Sequence, residues 1–354
     1  MLGYRIDGML GVLRLRLSFA CWDYDRILPL TDGRVSVEGV DLVYLRLWVQ
    51  EIFFRMIKHQ EFDVSEMSLA SYVSSLASGR SPFIAIPVFP SRMFRHGCIF
   101  INRKSGIKQP KDLIGKKVGV PEYRQTASVW IRGILSEKYG VPVSSVKYLH
   151  GPLEDMAKVD RRYFYDLSST EIKPHKPEIS LEPIEKGRTL SGMLENGEID
   201  ALYSAIAPSS YFRRSSVVGR LFPDFGVVER QYFGESGVFP IMHTIVLKRS
   251  VYEGDRWLAM TLYRAFQRAK EVAFEEMLQG SEAWYGAGHS KSMIPWFASV
   301  IEEAIQLMGF NYWPYGLRDN LKTLSTFTSY LHDQGLTERL LDPKEIFTPE
   351  TAET

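Results

Sequence analysis

The residues between Ile84 and Lys104 combine chemically active side chains with an apolar background, since Arg92, Arg95 and His96 stand close together among Pro, Phe and Met. Burying guanidinium and imidazole groups in such a loop is costly unless an anion accompanies them. We therefore expect this loop to form one wall of a pocket that binds a carboxylate, with His96 available for proton transfer. The alternative is an ordinary loop with solvated arginines and a structural histidine.

Further candidates follow short segments that have the pattern of β-strands. Alternating apolar residues over 13–20 indicate a strand, and Asp25 and Arg26 lie just beyond it. A second short strand leads into Glu66 and Ser68. Because ligands of open α/β sheets bind outside the carboxyl ends of the strands, these side chains are candidates for a binding site. Asp25 and Arg26 are equally consistent with a structural ion pair, and Glu66 with a helix cap.

The loop that precedes a helix predicted over 125–139 is a third candidate. Tyr123, Gln125 and Thr126 occupy this loop and the start of the helix, and Trp130 follows one turn later. A loop between a strand and a helix at the ligand-binding edge of a sheet can contact a ligand with all four side chains.

Composition and motifs exclude several classes of protein. The chain has 354 residues and a net charge of +1, which gives no reason to expect nucleic acid or an acidic membrane surface as a partner. It contains no GxGxxG, P-loop, HExxH or GxSxG motif, so nucleotide binding, zinc proteolysis and a serine nucleophile have no support. Cys21 and Cys98 show neither a disulfide framework nor zinc spacing.

The first residues of the chain predict a location inside the cell. Arg5, Asp7, Arg14 and Arg16 interrupt the apolar residues that a secretory signal would need. No apolar run reaches the roughly 20 residues that a membrane helix requires. We expect a cytoplasmic protein without a membrane anchor.

The order of strands and helices predicts two α/β lobes with a cleft between them. Strand and helix patterns alternate along most of the chain, which favours parallel sheets. The run 237–249 contains Pro240 and His243, and we interpret it as a segment that crosses between lobes, because proline is poorly tolerated in a central strand. His243 would then either face the cleft or be buried as a structural residue.

Several motifs resemble a known family. DLIGKKVGVPEY, followed by a helix of small residues, resembles the type II periplasmic-binding-protein fold. Segments along nearly the whole chain resemble 4,5-dihydroxyphthalate decarboxylases, with the weakest match over 163–183. These segments are YDRILPLTDGRVSVEGVDL, FDVSEMSLASY, IPVFPSRMFRH, GKKVGVPEYRQTASVWIRGIL, FPIMHTIVL and NYWPYGLRDNLKTLSTFTSYLHDQGL.

The resemblance implies a two-lobed type II periplasmic-binding-protein-like α/β fold with an interdomain cleft and two crossover segments. Residues 1–102 and 240–354 would form the first lobe, and residues 103–239 the second. It also implies non-oxidative loss of CO2 from an aromatic dicarboxylate to give 3,4-dihydroxybenzoate. A ring hydroxyl para to the leaving carboxylate can push electrons toward the ipso carbon, so no electron-sink cofactor is strictly required.

This reaction needs cations for the carboxylates, a proton donor at the ipso carbon and an acceptor for a phenol proton. The candidate carboxylate-binding residues are Arg26, Arg92 and Arg95. The candidate proton donors are His96 and His243. The candidates for orienting the imidazole or taking the phenol proton are Glu66 and Asp25. The aromatic side chains that can enclose the ring are Phe94, Tyr123 and Trp130.

Alternatives remain open at this point. The same fold can serve a non-catalytic solute-binding protein that captures an aromatic or dicarboxylate ligand. The sequence does not indicate a metal site, although His96 and His243 with Glu66 or Asp25 include the ligand types that a divalent metal would use. An enzyme of this family is expected to be a homo-oligomer.

Overall fold

The computed structural model describes residues 4–7, 12–79, 81–155, 174–279 and 292–354. Part of the surface excursion that the sequence predicts over 151–183 lies outside the described residues. The strands are β1 (Tyr4–Asp7), β2 (Val12–Cys21), β3 (Val40–Arg46), β4 (Val64–Ser68), β5 (Phe83–Arg92), β6 (Ile99–Asn102), β7 (Lys117–Val120), β8 (Lys147–His150), β9 (Leu181–Pro183), β10 (Ala201–Tyr203), β11 (Val218–Arg220) and β12 (Ile241–Lys248). The α-helices are α1 (Leu28–Thr31), α2 (Val49–His59), α3 (Leu69–Ala77), α4 (Thr126–Tyr139), α5 (Leu190–Asn196), α6 (Ser209–Phe212), α7 (Phe225–Ser236), α8 (Arg249–Gly254), α9 (Leu258–Gln279), α10 (Phe297–Met308) and α11 (Leu321–Asp333).

The first sheet has the strand order β1, β2, β4, β12, β5, with β3 paired to β2. β2 runs parallel to β3 and β4, whereas β12 is antiparallel to both β4 and β5. In β2, Leu15, Leu17 and Phe19 are buried while Arg14 and Arg16 are exposed, which is the alternation of a half-buried strand. β12, which comes late in the chain, therefore lies inside a sheet whose other strands come from the N-terminal part.

The second sheet has the order β11, β6, β10, β7, β8, β9. β10, β7, β8 and β9 are parallel, and β6 is antiparallel to β10 and β11. β6 (Ile99–Asn102) thus pairs in the second sheet, although the sequence analysis placed residues up to 102 in the first lobe. The chain passes from one sheet to the other before Ile99, because the hydrogen-bond partners of β6 all belong to the second sheet.

Prolines occur in β5 and just before β12. β5 runs on to Arg92 through Pro87 and Pro90. This is tolerated because β5 lies at the edge of its sheet, where a missing N–H costs less. The run that begins at Gly237 crosses between the lobes only as far as Pro240, since β12 starts at Ile241 as an inner strand.

Two segments connect the sheets, as the sequence predicts. Residues 93–98 lie between β5 and β6, and residues 237–240 lie between α7 and β12. α4 lies beside both connections and contacts α3, α11, β10 and β12, so its residues from Thr126 to Leu135 are all buried. At Gly133 an added Cβ atom would lie 2.0 Å from the ring of Tyr330 on α11, so only glycine permits this close approach. The α/β fold with two sheets and two crossovers is confirmed.

Amphipathic helices cover the sheets. In α2 the apolar residues Ile52, Phe53 and Met56 are buried, and the helix ends at Gln60 in the left-handed conformation with φ of 51°. Within the described ranges, the helices are too short or too polar to span a bilayer.

Candidate functional site

A cavity of about 300 Å³ lies between the two sheets, and we call it the cleft cavity. Ser68 and His243 from the first sheet line it, together with Gln125 and Ser204 from the second lobe and Arg95 from the crossover. Residues at strand ends from both lobes thus meet here, which is the position that the sequence analysis expected for a ligand.

The register of two strands brings Glu66 and His243 together at this cavity. β4 and β12 are antiparallel, with Ser68 opposite His243 and Glu66 opposite Ile245. Alternate residues share one face of a strand, and diagonal neighbours across a ladder are within reach of long side chains. His243 Nδ1 accordingly lies 2.5 Å from Glu66 Oε1.

Glu66 is a fully buried carboxylate with several donors. The Tyr24 hydroxyl donates to Oε1 over 2.7 Å, and the backbone N–H of Trp22 donates to Oε2 over 3.1 Å. Burial acts to raise the pKa of Glu66, but the charge of His243 and these hydrogen bonds outweigh it, so the pKa lies below its usual value. Glu66 is therefore ionised at neutral pH.

The hydrogen bond to Glu66 determines which of the two ring nitrogens of His243 faces the cleft cavity. An ionised carboxylate can only accept hydrogen bonds, so Nδ1 carries a proton toward Glu66. No partner among the described residues bonds Nε2, and the ring packs edge-on against Phe53 with centroids 4.9 Å apart. The outer nitrogen of His243 is thus held where it can exchange a proton with a ligand.

Arg95 is the arginine that lines the cleft cavity, and its side chain is buried. Its Nε donates to Met242 Sδ over 3.1 Å and its Nη1 to Cys98 Sγ over 3.6 Å. Sulfur is a weak acceptor, and no described carboxylate forms a salt bridge with this guanidinium. A buried guanidinium with such partners favours an anionic ligand, because the ligand would supply the missing charge.

Hydroxyl groups gather where α3 and α4 begin. Ser68 caps α3, and its Oγ lies 2.9 Å from Thr126 Oγ1 at the first turn of α4. The N–H of Ala70 donates to Thr126 Oγ1 over 3.1 Å. The two helix N-termini thus meet at the cavity, where their partial positive charge favours an anion.

The sequence analysis did not select two carboxyl groups that line the cleft cavity, Glu122 and Glu154. Glu154 accepts from the N–H and hydroxyl of Ser209 over 2.6 and 2.9 Å. Burial raises the pKa of Glu122 to about 7, against the opposing charge of Arg124. The sequence analysis assigned the loop that contains Tyr123 to ligand binding. The position of Glu122 beside Tyr123 in this loop was therefore the signal that could have identified it.

Tyr24 was also missed as a functional residue. The position of Tyr24 in the polar cluster that follows β2 was the only indication of its role in the sequence. Its hydrogen bond to Glu66 depends on the pairing of β2 with β4, which the sequence does not show. Burial, followed by the neighbouring charge of Glu66, raises the pKa of Tyr24 well above its usual value, so the phenol remains a donor.

His96 does not line the cleft cavity, which corrects the expectation from its neighbouring arginines. It is 2% exposed and is surrounded by the rings of Tyr139, Phe222 and Tyr232. Neither ring nitrogen has a hydrogen-bond partner among the described residues, and burial lowers the pKa of His96 to about 4. The side chain is a neutral imidazole in an aromatic environment.

Arg92 and Phe94 line a different cavity of about 340 Å³, which we call the crossover cavity. The Arg92 guanidinium donates to the carbonyls of Phe239 and Pro314 and to the side chain of Asn320. Arg92 is the last residue of β5, whereas Arg95 lies in the crossover that follows, so the two side chains line different cavities although they are close in sequence. The structure therefore does not bring Arg92 to the cleft cavity.

Tyr123 and Trp130 are core residues rather than cavity walls. The Tyr123 hydroxyl donates to the carbonyl of Gln334 over 3.2 Å. Trp130 Nε1 donates to the carbonyl of Ile241 over 2.9 Å, and its ring stacks on Phe327. Both side chains are fully buried, so they stabilise the packing of α4 instead of enclosing a ligand.

Asp25 and Arg26 form the ion pair that the sequence analysis kept as its alternative. Their side chains are 2.8 Å apart, and Asp25 is exposed. The Arg26 guanidinium lies over the rings of Tyr24 and Trp313 and donates to the carbonyl of Pro90. Neither residue lines the cleft cavity. Of the predicted residues, His243, Arg95, Ser68, Gln125 and Thr126 line the cleft cavity, and Glu66 lies behind it in contact with His243.

The described residues contain no group of three His, Cys, Asp or Glu side chains arranged to hold a metal ion. The donor set at the cleft cavity fits proton transfer between an imidazole and a carboxylate.

Solved structures show the fold. A periplasmic sulfonate-binding protein SsuA of a putative sulfonate ABC transporter from Methylobacillus flagellatus superposes with a TM-score of 0.51 and 11% identity, covering 95% of this chain and 92% of that chain. A Candida albicans protein with the generic periplasmic binding protein fold superposes with a TM-score of 0.50 and 10% identity, covering 94% and 96%. Identities this low support the fold alone.

Sequence relatives are more specific, although no protein-family model matches the chain. A 4,5-dihydroxyphthalate decarboxylase of Pseudomonas putida is 41% identical over 211 residues, which cover 60% of this chain and 78% of that protein. A 4,5-dihydroxyphthalate decarboxylase of Comamonas testosteroni is 37% identical over 342 residues, covering 96% of this chain and 98% of that protein. Because this similarity extends along both proteins almost completely, the chain belongs to the family of 4,5-dihydroxyphthalate decarboxylases.

Proposed function

We propose that the protein is a carboxy-lyase that converts 4,5-dihydroxyphthalate to 3,4-dihydroxybenzoate and CO2 in the cleft cavity. Its membership of the family and the names of the two relatives support this substrate. The observation that carries the proposal is the His243–Glu66 pair, in which His243 lines the same cavity as the buried Arg95 and Glu66 lies behind it. A proton donor and an anion-binding cation are two of the groups that this decarboxylation needs.

Arg95 holds one carboxylate of the substrate in this proposal. The second carboxylate lies near the hydroxyls and N-termini of α3 and α4, where Ser68 and Thr126 meet. Only one arginine lines the cleft cavity within the described ranges, so we assign the second anion to hydrogen bonds and helix dipoles. This arrangement replaces the set of three arginines that the sequence suggested.

His243 is the proton donor in the proposed mechanism. Its Nε2–H protonates the ring carbon that bears the leaving carboxylate, while the para hydroxyl of the substrate supplies the electrons and loses its proton to Glu122. The bond to the carboxylate carbon then breaks, and its electron pair restores the aromatic ring as CO2 leaves. The phenolate regains its proton from Glu122, so the reaction consumes one proton per CO2.

Glu66 positions and charges the imidazole. As an ionised buried carboxylate hydrogen-bonded to Nδ1–H, it stabilises the imidazolium form of His243 that the first step requires. Tyr24 and the N–H of Trp22 hold the carboxylate in place from the other side. Glu66 therefore acts through His243 and has no direct role at the ring.

The decisive experiment is incubation of the purified protein with 4,5-dihydroxyphthalate, followed by assays for CO2 and 3,4-dihydroxybenzoate. In D2O the product should carry one deuterium at the position that the carboxylate left, because the proton comes from an exchangeable imidazole. His243→Asn should bind the substrate without releasing CO2. Tight binding by the unaltered protein with no product at all would overturn the enzyme assignment in favour of a solute-binding protein.

The proposal includes a cytoplasmic location and a homo-oligomeric assembly. Cell fractionation checks the location. Sedimentation velocity of the purified protein checks the assembly, and a single species at the mass of one chain would contradict it.

A further inference from the structure

The crossover cavity is a second, partly open cavity beside the cleft cavity. Its volume of about 340 Å³ is similar to that of the cleft cavity, and Met93 and Ala205 line both. Its walls come from both connections between the lobes, since Arg92 and Phe94 adjoin the first and Phe239 belongs to the second. The mechanism proposed above makes no use of it.

Two guanidiniums of this cavity have unused donors. The Nε atoms of Arg92 and Arg220 are buried and have no hydrogen-bond partner among the described residues. Neither arginine forms a salt bridge with a described carboxylate. Arg92 is 6% exposed, and its other nitrogens reach only neutral oxygen atoms. Buried guanidinium donors without an acceptor are costly, which indicates that a ligand oxygen supplies one.

One acidic side chain, Glu229, also lines the cavity and limits the charge of the ligand. It accepts from the N–H of Gly97 over 3.2 Å. With two arginines and one glutamate, the cavity has an excess of one positive charge when all three are ionised. A ligand with a single carboxylate balances this excess, whereas a dicarboxylate would overcompensate it.

Several of the other side chains that line the cavity are aromatic. Phe94 and Phe239 stack with centroids 4.7 Å apart, and the Arg220 guanidinium lies over the ring of Phe225 at 4.5 Å. Phe100 completes this lining. Flat apolar walls beside a guanidinium suit a planar aromatic acid, because the ring packs against aromatic side chains while the carboxylate meets the arginines.

We propose that the crossover cavity is a second binding site, for a hydroxylated aromatic monocarboxylate. This is the chemical class of the proposed product, so the choice of ligand rests on the proposed function. Arg92 and Arg220 bind the carboxylate, and Phe94, Phe225 and Phe239 enclose the ring. A ligand at this position contacts both crossover segments, so it bridges the two connections between the lobes.

The test is calorimetric titration of the full-length protein with 3,4-dihydroxybenzoate. The unaltered protein should bind two equivalents, and Arg220→Met should weaken one of them at least tenfold. Ala207→Phe places a ring in the crossover cavity and leaves the cleft cavity intact, because Ala207 lines only the former. It should abolish the same equivalent even if Arg220→Met does not fold.

Arg230→Met is the matched control. Arg230 lies on α7 with its side chain exposed and paired to Glu303 at 2.8 Å, so both equivalents should remain. Arg95→Met should remove the other equivalent, in the cleft cavity. A stoichiometry of one in the unaltered protein, or two equivalents in Ala207→Phe, would overturn the second site. Preferential binding of bicarbonate there would overturn the aromatic assignment.

These outcomes are independent of turnover. If 4,5-dihydroxyphthalate were not decarboxylated but Arg220→Met still removed one of two equivalents, the proposed function would fail and the second site would stand. If decarboxylation occurred with a single binding equivalent, the reverse would hold.

Discussion

His243 Nδ1 lies 2.5 Å from Glu66 Oε1, and this contact joins two strands whose residues are 177 positions apart in sequence. One partner has no exposed side-chain surface, and the other keeps 16% of its side chain exposed at the cleft cavity. The two residues thus have different roles. Glu66 supplies a fixed negative charge from the interior, and His243 presents its outer nitrogen to the ligand.

The first prediction concerns this pair. His243→Asn should lower kcat by roughly 100- to 10,000-fold, the usual range for loss of a general acid, with a much smaller change in KM. Glu66→Gln keeps a side chain of the same size but removes the charge that stabilises the imidazolium, so kcat should fall on the order of 100-fold. Steady-state kinetics with 4,5-dihydroxyphthalate measure both. An unchanged kcat in His243→Asn would exclude this residue as the donor.

The second prediction contrasts two arginines of neighbouring sequence. Arg95→Met should weaken substrate binding by about 2 kcal/mol or more, roughly 30-fold, because a buried carboxylate loses its charged partner. Arg92→Met should instead lower the free energy of unfolding by about 1–3 kcal/mol, because its neutral acceptors lose their donor. Its KM should stay close to that of the unaltered enzyme. Equal effects of the two substitutions on KM would contradict this division.

The third prediction concerns the pH dependence of turnover. Burial raises the pKa of Glu122 to about 7, and the proposed base must be ionised to take the phenol proton. The value of kcat should therefore rise as the pH increases through 7. Glu122→Gln should lower kcat and remove this acidic limb. Glu154→Gln is the matched control in the same cavity, and its pH profile should keep the acidic limb. Loss of the acidic limb in Glu154→Gln would identify Glu154 as the base in place of Glu122.

The fourth prediction concerns stability in acid. Burial lowers the pKa of His96 from 6.5 to about 4, so the unfolded chain binds more protons than the native protein between these values. The contribution of neutral His96 is complete above pH 6.5 and is lost as the pH falls toward 4, by about 3 kcal/mol at most. His96→Phe should remove this part of the acid sensitivity. Urea unfolding at several pH values measures the difference.

The same substitution separates a structural role for His96 from a catalytic one. His96→Phe should keep kcat near that of the unaltered enzyme, because the side chain does not line the cleft cavity. A loss of turnover of 100-fold or more with a native melting curve would restore His96 to the active site.

Local pattern alone identified many elements and several residues of the site. The helix predicted over 125–139 matches α4, and alternation over 13–20 matches most of β2. Glu66, Ser68 and Thr126 were placed at strand ends and helix starts by turn and periodicity signals alone. These predictions succeed because backbone hydrogen bonding and side-chain periodicity act over a few residues.

Tertiary structure decided which charged groups face the ligand. Arg92 and Arg95 are close in sequence, yet they line different cavities, because Arg92 ends β5 and Arg95 lies in the crossover between β5 and β6. His96 and His243 were equal candidates, and only the pairing of β12 with β4 distinguishes them. The amino-acid sequence by itself determined the elements, the supply of polar side chains and the family. The long-range strand register, which no local pattern encodes, determined the chemistry of the cavity.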